Sequence, residues 1–137
     1  MLYREFKEMK EKEFNELPTM FAFSMKQLEE QMQKLNTNKS EIVNLGGGMF
    51  MRRQDLCLLD TWENKYEAME KELMLNDDFL LDAFLYELRN HEYIITYDVE
   101  DALEVFGLTV EDVKKNDRML LAINKAMAII EKEDNYY

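Results

Sequence analysis

Apolar positions along the chain change their period several times, and each change marks an element. Over residues 2–17, Leu2, Phe6, Met9 and Leu17 fall near one helical face, with Lys and Glu at three- and four-residue spacings on the other. Pro18 ends this helix. Thr19-Met20-Phe21-Ala22-Phe23 is short and apolar, which predicts a strand over 20–23. Ser24 then caps a helix through Leu35 whose buried stripe is Met25, Leu28, Met32 and Leu35, followed by a polar loop from Asn36 to Ser40. Residues 41–45 and Met49–Arg52 read as two strands around Gly46-Gly47-Gly48.

The longest helical pattern covers residues 54–75, where Leu58, Trp62, Tyr66, Met69 and Leu73 form a stripe. Trp62 is expected in the core, where replacement by Ala costs about 3–5 kcal/mol. Asn76-Asp77-Asp78 breaks the pattern and caps a helix to about Arg89 that buries Leu81, Phe84, Leu85 and Leu88. Tyr93-Ile94-Ile95-Thr96-Tyr97 is β-branched and aromatic and predicts a fourth strand. Asp98 is placed to cap a helix over 99–106 that Gly107 ends. Thr109 and Asp112 come close to a capping box. A last helix follows Asn116-Asp117 with Leu120, Ile123, Met127 and Ile130 on its face, and residues 134–137 are a frayed tail.

Strands joined by a hairpin, without helical crossovers, predict an α+β fold with a small antiparallel sheet of three or four strands packed with five to seven helices. The length suits a single domain over 1–137, with its core in 19–133. The helix of 1–17 is free to act as an arm on another subunit, although packing on its own domain is favoured.

Composition narrows the class. At 47% hydrophobic the chain can build a real core, and its 1 Pro and 4 Gly leave little room for linkers. No apolar run reaches the length of a membrane span, and the N-terminal MLYREFKEMK is too charged for a signal peptide, so the expected location is cytoplasmic. The lone Cys57 excludes an intramolecular disulfide; in Leu56-Cys57-Leu58-Leu59 it is expected to be a buried, inert thiol.

Charge changes the picture most. The net charge of −12 is concentrated in residues 55–101, which hold 3 basic and 14 acidic groups. Residues 1–54 hold 9 basic and 8 acidic, and residues 102–137 hold 5 and 7. Such a field repels nucleic acid and membrane phosphate and attracts basic partners.

Candidate chemistry is sparse. His91 beside Glu92 suggests acid–base work, but one His with no partner nucleophile or second His makes neither a triad nor a zinc site. Gly46, Gly47 and Gly48 with Arg52, Arg53 and His91 offer an alternative anion site, yet neither phosphate-loop spacing is present and a hairpin turn is favoured. Asp98, Glu100 and Asp101 lack the spacing of a calcium loop, so no metal and no cofactor is expected.

Two stretches carry a family resemblance: FAFSMKQLEEQMQKL followed by IVNLGGGMFMRRQD, and LRNHEYIITYDVEDALEVFGLT. In this order they resemble a family of small intracellular proteins of Firmicutes bacteria and their phages or mobile elements, over about residues 19–115. The resemblance implies a compact mixed domain and a mobile-element origin, carries over no catalytic residue, and leaves the N-terminal helix outside.

Two functions of different class follow. The first is a non-enzymatic acidic binding protein, of the kind that inhibits host defence nucleases (anti-CRISPR-like). Its contacts would be Asp77, Asp78, Asp82, Glu92, Asp98, Glu100 and Asp101, and its partner a basic, nucleic-acid-binding host protein surface in the host cytoplasm. The second is a small enzyme or ligand-binding module built on the glycine turn. Neither needs direct nucleic-acid or membrane contact, and a homodimer is open to both.

Overall fold

The computed structural model describes residues 1–134; of the tail expected to fray, 135–137 lie outside the described residues. The chain divides into two compact units, one of residues 1–8 with the chain from 69 onward and the other Met9–Ala68. The boundaries fall inside two helices, α1 (Tyr3–Asn15) and α3 (Leu56–Leu73).

The unit Met9–Ala68 holds a three-stranded antiparallel sheet, in the order β1 (Thr19–Phe21), β3 (Met49–Arg52), β2 (Ile42–Gly46). Thr19 stands opposite Met51 in one pairing and Val43 opposite Met51 in the other. Helix α2 (Met25–Lys34) packs on the sheet, burying Leu28 and Met32 with Met20 and Ala22 and half-covering Leu35, Ile42 and Phe50. Its cap is Ser24, whose hydroxyl accepts the Gln27 N–H at 3.2 Å. Met25, expected in this stripe, is exposed at the first position of the helix.

In the same unit, α1 from Met9 on meets α3 up to Ala68. Tyr66 is buried, and its hydroxyl donates to the Met9 carbonyl at 3.4 Å. Trp62 is partly buried, at the margin of the core where it was expected. Its indole N–H donates to the Lys10 carbonyl at 3.0 Å, and its ring tilts against Phe14 at 5.1 Å and Tyr66 at 5.9 Å, with the Lys10 ammonium 5.5 Å over it. Cys57 is exposed, contrary to expectation. Consecutive apolar residues on a helix turn about 100° apart, so a run of them cannot all face inward.

The other unit is helical: α4 (Asp77–Asn90), α5 (Tyr93–Thr96), α6 (Glu100–Glu104), α7 (Val110–Lys114) and α8 (Asp117–Asp134). Helix α4 is its centre, packed on α8, α6 and α5 and burying Phe79, Leu80, Ala83, Phe84, Glu87 and Leu88. Asn76, rather than Asp77, caps α4 by accepting the Phe79 N–H at 3.0 Å. Thr109 and Asp112 complete the capping box of α7. Gly107 ends the turn after α6 at φ +69°. From α1 this unit takes Tyr3 and Phe6, both buried, while Leu2 is exposed.

The fold class is α+β as expected, with three strands and eight α-helices among the described residues. The predicted strand over 93–97 is instead the single turn α5. Its unit contains no strand among the described residues, and a lone strand leaves its N–H and C=O groups unpaired. As a helical turn, the segment closes the Tyr97 N–H onto the Tyr93 carbonyl at 2.7 Å and buries the Tyr93 ring. This turn, in place of the expected strand, raises the helix count one above the expected five to seven.

Candidate functional site

Helix α5 is bracketed by two non-glycine residues in the left-handed region, Glu92 at φ 55° and Tyr97 at φ 54°. Each costs about 1–2 kcal/mol for an L-residue, so the surroundings must hold the turn in place. Tyr93 does so. Its ring is buried, and its hydroxyl donates to Glu131 Oε1 on α8 at 2.8 Å. Burial and then that carboxylate push the Tyr93 hydroxyl up to about 12. The two strained positions thereby turn Ile95 and Tyr97 outward, at 72% and 63% exposure. The Tyr97 ring leans edge-on against Tyr93 at 5.7 Å, which limits its motion.

The same stretch of chain is rich in acid. Glu92, Asp98, Glu100, Asp101 and Glu104 are exposed, and none forms an ion pair among the described residues. No Lys or Arg occurs between Asn90 and Val113. Part of this acid has a structural reason. Asp98 Oδ1 accepts the Glu100 N–H at 2.9 Å, and Glu100 and Asp101 occupy the first turn of α6, where the helix dipole favours them. Glu104 has none of this support, because it sits in the last turn of α6, where the dipole disfavours an acid.

The remaining expected contacts are employed elsewhere. Asp77 binds Arg118 Nε at 2.6 Å, and Arg118 also donates to the Met74 carbonyl. Asp82 is half-buried and accepts the Tyr3 N–H at 2.8 Å, closing the open start of α1. Asp78 is exposed beside a cavity of about 450 Å³ that Asp82 and Glu5 also line. The structure thus groups Glu92, Asp98, Glu100 and Asp101 along 92–104 and leaves Asp77, Asp78 and Asp82 on the first turns of α4.

His91 works with a partner the sequence reading missed. It caps the C-terminus of α4, and its Nε2 lies 3.5 Å from Glu87 Oε2, one turn earlier. Glu87 is only 1% exposed, and its Oε1 accepts from Lys7 Nζ at 3.0 Å. The Tyr3 hydroxyl also hydrogen-bonds to this carboxylate; burial first, then Glu87 and Glu70, raise the hydroxyl far above the ordinary tyrosine range. The Lys7 ammonium completes the cluster, 4.9 Å over the Tyr86 ring and 5.6 Å over the Tyr3 ring. Both carboxylate oxygens are therefore occupied, and the cluster ties α1 to α4. The four-residue spacing of Glu87 and His91 on one helix was the signal for it.

The glycine turn is a hairpin. Gly46, Gly47 and Gly48 have φ of +91°, +60° and +82°, and a bulge separates Asn44 from Gly46. Phe23 lies over the turn, so a Cβ on Gly48 would come within 2.6 Å of its ring. Arg52, at the far end of β3, is spent on Asp55 at 2.6 Å and on the Leu35 carbonyl. Arg53 is exposed, and His91 belongs to the helical unit. Among the described residues, no group of three or more His, Cys, Asp or Glu side chains is placed to hold a metal ion, and no helix is long and apolar enough to cross a membrane.

A family model described as a family of unknown function (DUF7659) matches residues 2–128. The match includes α1, which the resemblance over 19–115 had left outside. No curated protein and no solved structure matches the chain.

Proposed function

The chain belongs to this family of unknown function, and we propose that it is a non-enzymatic binding protein that engages a basic protein surface through residues 92–104. The observation that carries the reading is the exposed pair Ile95 and Tyr97, held out by two left-handed residues in a segment whose five exposed carboxylates form no ion pair among the described residues. Strained backbone persists where the surroundings over-determine it, and such positions gather at ligand clamps. An aromatic side chain fixed in place contributes contact area at low entropy cost, and the acids steer a basic partner and set orientation. The resemblance to small mobile-element proteins supports a finer form of this proposal. There the partner is a nucleic-acid-binding host protein, such as a defence nuclease, and the acidic face occupies the groove that holds its phosphates.

The test is a charge reversal, Glu100→Lys with Asp101→Lys. Asp82 is unsuitable for it because it caps α1. Parent and variant, checked for equal melting temperature, are used to capture basic proteins from a bacterial lysate. The parent should recover partners that the variant loses. Equal recovery of the same proteins by both rejects residues 92–104 as the binding face.

A further inference from the structure

The last turn of α4, the start of α5 and the last turn of α8 meet around a cavity of about 260 Å³, within the helical unit. Ile94, Ile130 and Tyr93 give it an apolar lining, and Arg89, Glu92, Glu133 and Asp134 a charged one. The Tyr93 hydroxyl is spent on Glu131, so Tyr93 offers the cavity its ring alone.

One guanidinium stands among three carboxylates here, a net charge of −2. Arg89 is already neutralised, because its guanidinium donates to Glu133 Oε1 at 2.6 Å. Glu92 and Asp134 are exposed and form no ion pair among the described residues. Helix capping accounts for neither. Glu92 precedes α5 without a side-chain cap bond, and Asp134 ends α8, where the helix dipole disfavours an acid.

We propose that this cavity is a socket for one arginine side chain of a basic protein partner. Its volume lies below the roughly 300–1,000 Å³ of a pocket for a drug-sized ligand and suits a single long side chain. Charge complementarity selects a cation, and the apolar lining selects one carried on a methylene stem that can lie against Ile94 and Ile130. Arginine fits better than lysine: its planar fork of N–H donors can serve Glu92 and Asp134 together, whereas an ammonium is compact and more strongly hydrated. The source of the arginine rests on the binding reading above, for Ile94 runs directly into the exposed Ile95 of the same turn. An arginine seated here is a buried anchor of the kind that dominates interface energetics.

The probe is N-acetyl-arginine methylamide, titrated into the full chain with isotope-labelled isoleucine methyl groups. The citrulline counterpart keeps its shape without the charge, and the lysine counterpart keeps the charge without the fork. The arginine probe should shift the Ile94 and Ile130 methyl signals to saturation, with a Kd of about 1 mM, and both counterparts should bind about tenfold more weakly. Glu92→Gln with Asp134→Asn keeps both shapes and should weaken the arginine probe about tenfold at an unchanged melting temperature. Unmoved Ile94 and Ile130 signals, equal binding of either counterpart, or an unaltered double variant overturns the proposal. The probe needs no partner, while the charge reversal at Glu100 and Asp101 is read by partner capture, so the socket and the acidic face can each fail without the other.

Discussion

Replacing Glu87 by Gln keeps the shape of the side chain and removes its charge from the best-buried carboxylate of the helical unit. Glu87 is 1% exposed and answers Lys7, His91 and the Tyr3 hydroxyl. Truncating one member of a fully buried ion pair costs about 3–5 kcal/mol, because the other charge is stranded. Here the Lys7 side chain is 39% exposed and can turn its ammonium to water, so that penalty is not fully incurred. What remains is a charge-assisted hydrogen bond, worth about 1.5–3 kcal/mol, part of which the Gln oxygen restores. The expected loss for Glu87→Gln is about 1–2 kcal/mol, and for Glu87→Ala, which also opens a cavity, about 3–4 kcal/mol. Urea unfolding followed by circular dichroism measures both. A cycle with Lys7→Met should show coupling of about 1 kcal/mol between the two positions. A loss under about 0.5 kcal/mol for Glu87→Gln, or no coupling to Lys7, would refute the reading of this cluster as the tie between α1 and α4.

Three further outcomes are expected. Gly48→Ala should cost about 1–2 kcal/mol in chemical unfolding, chiefly from its φ of +82°; because Phe23 is 83% exposed and its ring can swing away, adding Phe23→Ala should not restore stability. Trp62→Ala should cost less than a core tryptophan does, about 2–3 kcal/mol, since the ring is half-buried. The hydroxyls of Tyr66 and Tyr93 are pushed up to about 12 by burial and by Glu13 and Glu131. The folded state therefore holds these protons more tightly than the unfolded chain does: stability is full below about pH 10 and is lost as the pH rises towards about 12. Melting temperature against pH should fall in that window, and Tyr93→Phe should soften the fall.

The elements that were legible in the sequence had local signals strong enough to stand alone. Ser24 before an apolar helix, Thr109 with Asp112, and the triple glycine between two apolar runs each specify their own geometry. The strand over 93–97 failed because β propensity expresses packing in a sheet, and its unit offers no sheet to join. Its two left-handed ends fall on Glu and Tyr, residue types that give no warning of a positive φ. The site was legible as charge but not as geometry. Composition marked residues 55–101 as acidic, yet it could not separate Asp82, which caps α1 from 79 residues away, from Glu100 and Asp101, which face water. Glu87 was hidden for the same reason: its partner Lys7 lies 80 residues earlier in the chain.

The central claim is that residues 92–104 form a face for a basic partner. The most direct measurement is the dissociation constant of a captured partner against salt concentration, by calorimetry, for the parent, for Glu100→Lys with Asp101→Lys, and for Ile95→Ala with Tyr97→Ala. The account predicts that parent affinity falls steeply as salt rises and that the charge reversal abolishes binding. It also predicts that the apolar pair weakens binding by about 2–4 kcal/mol while leaving the salt dependence unchanged. A parent affinity indifferent to salt, or variants that bind as tightly as the parent, would contradict it.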